Sequence, residues 1–174
     1  THANAYLQGD VQGAMTGLCR DAATGRMLMA HGSMLLPTMV GGAMLSANTN
    51  TLASILSELP ADTPLPATCT TALAPLTAME ASTCTGMRGE FAMRAAHFRA
   101  QQANFSKVQA GIFFNDEKSS ARTAETMAWP CLPDNQMLIA DDRPLPPAPQ
   151  LSLRRLECAA NYIGCIMSAI AAPA

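Results

Sequence analysis

Six cysteines, at positions 19, 69, 84, 131, 158 and 165, are the residues of this chain best suited to covalent chemistry. Their number is even, and no two stand in C-x2-C or C-x4-C spacing. His2, His31 and His97 lie at no metal-ligand distance in sequence from any of them, so no zinc site, other metal or cofactor is expected. Wide, unclustered spacing fits three structural disulfides, and hence an oxidising space such as the bacterial periplasm or the exterior. The alternative is a cytosolic protein with six buried, inert thiols. The opening residues THANAYLQ carry neither a charged n-region nor an apolar h-region, so any signal peptide is expected to have been removed.

The pairing of these cysteines depends on the helices that carry them. Residues 151–171 are expected to form a single helix, on which Cys158 and Cys165 share a face about 10.5 Å apart, beyond the roughly 7 Å a disulfide spans. Excluding that bond leaves twelve of the fifteen pairings of six cysteines, and the set chosen among them is Cys69 with Cys84, across a break at Pro75, with Cys131 to Cys158 and Cys19 to Cys165.

Other reactive residues are sparse. The chain has no G-x-S-x-G elbow, P-loop, G-x-G-x-x-G after a strand or H-E-x-x-H. His31-Gly32-Ser33 holds a base and a hydroxyl, but residues this close seldom face each other productively, and a helix start is the better reading. Asp141 and Asp142 are adjacent carboxylates in a Pro-rich stretch and read as solvated. The 12 methionines are scattered, which suits core packing better than copper binding. No catalytic residue is assigned. For partner binding the choice falls on Leu138, Ile139, Asp141 and Asp142, apolar and charged contacts on a segment stiffened by prolines.

The elements that must position these residues are mainly α-helical. The chain has 174 residues, 49% hydrophobic and 14% charged, enough for one domain with a sizeable core. Few aromatics and abundant Ala and Met favour helix packing over a β-sandwich. A net charge of -2 gives no footprint for nucleic acid or an anionic membrane. Helices are expected over 3–18, over 21–30 with Asp21 as cap, over 33–47 as an all-apolar core helix, over 51–59, over 67–74 and 76–86 about Pro75, over 87–105 and over 119–129. The helix at 87–105 carries Arg88, Glu90, Arg94, His97 and Arg99, a solvated charged face or, more sharply, a patch for an acidic partner. Residues 107–115 alternate like a strand, and 136–140 could pair with them as a short β ribbon. Residues 130–150 read as a Pro-rich loop.

The expectation is a mainly α, single-domain irregular bundle over 1–174, with about six to eight helices, three disulfides and room for one short β ribbon. Met34 to Leu45 is expected to be its most buried helix. No stretch reaches the ~20 apolar residues of a membrane span. The expected function is non-catalytic: an exported protein that binds another protein, such as an immunity or inhibitor protein against a toxin or hydrolase. The alternatives are a cell-envelope hydrolase with a site invisible in sequence, or an accessory domain of an envelope assembly.

Overall fold

In the computed structural model, residues 2–106, 114–148, 158 and 161–170 are described, and every regular element among them is helical. Three disulfides staple the helices, as the even cysteine count implied. The chain groups into two compact units, Thr1–Thr83 and Cys84–Ala174.

The first unit is built on a long helical hairpin. Helix α1 (His2–Leu7) is short, and Gly9 breaks the chain after it at a φ of +87° that glycine adopts without strain. Asp10 then caps α2 (Val11–His31), its carboxylate accepting from the Gly13 amide at 2.9 Å. The expected break near Cys19 and the Asp21 cap are both incorrect: α2 runs through them, the Asp21 carboxylate pairing with His2 Nε2 at 2.8 Å and Gly25 being tolerated inside the helix. Gly32 closes α2, donating to the Leu28 carbonyl at 2.8 Å.

Helix α3 (Leu35–Glu58) fuses the two helices expected over 33–47 and 51–59. The intervening polar run does not break it, since Asn48, Thr49 and Thr51 turn back to the carbonyls of Met44, Leu45 and Ala47 at 2.8, 2.8 and 2.9 Å. These side chains satisfy their own hydrogen bonds within the helix they were expected to end. Two shorter helices, α4 (Ala67–Ala72) and α5 (Ala78–Ala81), follow the prolines and cross back over α2.

The α2–α3 seam shows heptad-like spacing. Met15, Leu18, Ala22 and Gly25 of α2 are buried, as are Thr38, Gly41, Leu52 and Ile55 of α3, with Leu45 packed beside them. The helices touch backbone to backbone at Gly25 and Gly41, where an added Cβ on either would stand 2.7 or 2.5 Å from the other's carbonyl oxygen. The Cys19–Cys69 bond fastens α4 onto this core.

The second unit comprises α6 (Cys84–Gln102), α7 (Asp116–Ala128), a 3-10 turn (Trp129–Cys131), α8 (Pro133–Ala140) and α9 (Tyr162–Ile170). The expected strand at 136–140 is instead part of α8. Pro133 supplies a helical φ at the first turn, and the side-chain amides of Asn135 and Gln136 donate from Nδ2 and Nε2 to the carbonyls of Trp129 and Pro130, both at 2.6 Å. The same helix corrects the reading of 130–150 as one loop. The other half of the supposed ribbon falls largely on 107–113, outside the described residues. Phe114 is fully buried, ringed by Phe98 and Phe105 at 6.2 and 5.6 Å between centroids.

All three expected pairings are overturned: the bonds are Cys19–Cys69, Cys84–Cys131 and Cys158–Cys165. Cys158 lies in a 3-10 turn and α9 begins only at Tyr162. The excluded pair therefore sits 5.7 Å apart at Cα, well inside bonding range. The expected helix over 151–171 holds for 162–170, and 151–157, 159–160 and 171–174 are outside the described residues.

Candidate functional site

The helix expected to be most buried proves to be the most conspicuous surface. Leu36, Met39 and Val40 of α3 are 68, 62 and 44% exposed, and Ala43 and Ala47 continue the row toward the middle of the helix. The spacing i, i+3, i+4, i+7, i+11 makes this one stripe. It exists because the amino-terminal half of α3 is apolar on two faces and only one, carrying Thr38, Gly41 and Leu45, has α2 to pack against. Thr38 and Gly41 are small, so α2 lies close to the α3 backbone and leaves the large side chains pointing away.

A second feature is a cleft in the second unit, about 300 Å³ in volume. Helix α6 contributes Met87, Arg88 and Phe91 to its wall, one turn after Cys84. Helix α7 faces them with Ala124, Met127 and Ala128. The space follows from that pairing, since two alanines stand opposite a methionine and a phenylalanine. The Cys84–Cys131 bond closes one end, and Leu132 lies just past it. Arg88 is the charged member of the lining and is exposed.

Two buried polar groups explain rigidity more than chemistry. Arg26, 7% exposed, donates from Nε and Nη2 to Glu80 at 2.7 and 2.9 Å, and to the carbonyls of Thr71, Ala72, Ala74 and Pro75. Glu80 in turn accepts from the Thr77 amide at 2.7 Å, forming a capping box at the start of α5. Hydrogen bonding from Arg26, then from the Thr77 amide, brings its pKa down from 4.5 to about 2. In the second unit Asn161 accepts from the Asn115 amide at 2.7 Å and donates to Ser119 Oγ at 3.1 Å. Asn115 also caps α7, accepting from the Lys118 amide at 2.8 Å, so one buried knot sets the start of α7 against the start of α9. Beside it Arg122 donates to Cys158 Sγ at 3.1 Å.

The residues singled out in the sequence are distributed differently from expectation. Leu138 and Ile139 are half-buried on α8, while Asp141 and Asp142 are exposed in the turn that follows, with Asp142 at a φ of +52°. His31 and Ser33 are exposed on either side of the α2 terminus, and His97 is exposed with Gln101 as its neighbour at 3.5 Å. Among the described residues no group of three His, Cys, Asp or Glu side chains could hold a metal ion, and no helix is long and apolar enough to cross a membrane. The α3 stripe and the cleft were both missed. The stripe was misassigned because an all-apolar helix was equated with a buried one. The cleft had a usable signal, the 84-87-88-91 and 124-127-128-131 spacings, but no indication that they meet.

Fold and surface together define a disulfide-stapled, all-α protein with an exposed apolar helix face. No protein-family model matches the chain, and no curated protein or solved structure is significantly similar to it.

Proposed function

We propose that this chain is a non-catalytic, exported protein that binds another protein, in the manner of an immunity or inhibitor protein. The supporting observation is the α3 stripe. Three large apolar side chains on one helix face, each more than two-fifths exposed, meet water at a cost that partner burial would remove. The stripe is also pre-organised. Helix α3 is packed along α2, which Cys19–Cys69 ties to α4, and Arg26–Glu80 ties to α5, so little backbone order remains to be lost on association. Three disulfides favour an oxidising compartment, such as the bacterial periplasm, as the place where this happens. Asp141 and Asp142, exposed after α8 in the second unit, offer charged contacts to a partner in their own right.

The test is affinity capture from envelope extract with the oxidised protein as bait, comparing the native chain with a Leu36→Ser, Met39→Ser, Val40→Ser variant. A partner held by the native protein and lost by the variant at unchanged melting temperature supports the reading. A partner captured equally by both would take the stripe out of the interface. Asp141→Ala with Asp142→Ala, measured for the same partner at low and moderate salt, tests the second patch.

A further inference from the structure

We infer that the cleft between α6 and α7 is a binding site for an aliphatic chain ending in a carboxylate, a role separate from the α3 stripe and resting on different residues. The first argument is shape. The cleft has one fixed end: Cys84 at the start of α6 and Cys131 just past the end of α7 are bonded at a Cα separation of 5.6 Å, which sets the spacing of the helix ends beside the gap that Ala124 and Ala128 leave. The apolar walls of such a space gain contacts when something apolar fills it.

The second argument is chemistry. Met87, Phe91, Met127 and Leu132 present hydrocarbon, thioether and ring faces, and the methionines adjust their rotamers to a flexible chain. Arg88 is exposed beside this lining and forms no hydrogen bond or ion pair among the described residues. A guanidinium matches a carboxylate with two parallel hydrogen bonds. One cation at the edge of an otherwise apolar cleft selects an amphiphile with a single anionic end over a neutral hydrocarbon or a polyanion.

The third argument is size. At ~30 Å³ for each water-sized volume, 300 Å³ takes roughly ten such volumes, which sets a chain of about eight to ten carbons. The cleft lies at the small end of the range for ligand sites.

The experiment is calorimetric titration of the oxidised protein with decanoate below its micelle concentration, alongside decanol and acetate. Saturable one-to-one binding of decanoate is expected, with no detectable acetate binding and decanol about tenfold weaker, the worth of one partly exposed charge-assisted contact. Arg88→Gln should bring decanoate down to the decanol level and leave decanol unchanged. Ala124→Leu and, separately, Ala128→Leu fill the cleft and should abolish binding of both chains, melting being measured for each. Absence of saturable decanoate binding to the native protein overturns the inference. So does binding that persists unchanged in well-folded Ala124→Leu and Ala128→Leu variants, which would put the ligand elsewhere. Equal decanoate affinity in native and Arg88→Gln protein overturns the carboxylate assignment, and binding of an apolar peptide without any response to decanoate would reassign the cleft to a protein ligand.

Discussion

Arg26 shows how one polar side chain can organise a small core. Its guanidinium ends the carbonyl-rich turn after α4 and holds the carboxylate that caps α5, so Ala72, Pro75 and Thr77 are all placed by a residue some 50 positions earlier in the chain. The pair is nearly enclosed, its side chains 9 and 11% exposed, so breaking it leaves a buried charge without its counter-ion. The folded pKa of Glu80 lies below its ordinary value. Its stabilisation is therefore complete above about pH 4.5 and is lost as pH falls toward 2. The displacement corresponds to on the order of 3 kcal/mol at most. Urea midpoints taken at pH 6 and pH 3 should fall further with acid in the native protein than in Glu80→Gln, which is weaker at pH 6 and flatter between the two. Parallel pH dependence in the two proteins would show that Glu80 is not the titrating group.

At the scale of elements, the helical class and most helix positions were legible from apolar periodicity and from proline, while helix ends and faces were not. The Gly9–Asp10 break and the Asn48–Thr51 run show why. Both are short polar stretches, and only side-chain partners decide that one starts a helix and the other continues it. Faces were harder. Gly41 and Gly42 read alike in sequence, yet an added Cβ at Gly41 would meet the Gly25 carbonyl at 2.5 Å and one at Gly42 would meet nothing within 4 Å. Opposite signs are expected. Gly41→Ala should destabilise by roughly 1–3 kcal/mol through forced separation of α2 and α3, and Gly42→Ala should stabilise by up to about 1 kcal/mol through helix propensity. Chemical denaturation of the two single variants decides it. By the same reasoning Leu36→Ala, expected from sequence to cost what a core leucine costs, should change stability by no more than about 0.5 kcal/mol, because its side chain is already in water.

Over the whole molecule, the sequence carried the oxidation state of the cysteines but not their partners. Even number and wide spacing are properties of the chain, whereas pairing depends on which helices meet, and the exclusion of Cys158–Cys165 failed because it assumed an unbroken helix through both. The observed bonds differ in what they constrain. Cys19–Cys69 and Cys84–Cys131 join residues 50 and 47 apart, each tying separate helices within one unit, while Cys158–Cys165 spans only 7 and fixes the turn before α9. In the chain-entropy description the two long closures restrict the unfolded chain by about 4 kcal/mol each and the short one by about 2 kcal/mol. Cys19 and Cys69, like Cys158 and Cys165, are almost fully buried, so serines there would add unpaired hydroxyls to the lost constraint, whereas Cys84 and Cys131 are half-buried. Replacing each pair by serine in turn should therefore cost most at Cys19–Cys69, the one pair that combines a long closure with near-complete burial. Peptide mapping without reductant first establishes the three bonds in the native protein. Any other pairing overturns the fold at that point, and a Cys158→Ser, Cys165→Ser variant less stable than the Cys19→Ser, Cys69→Ser variant would show that the short loop anchors much more than its own turn.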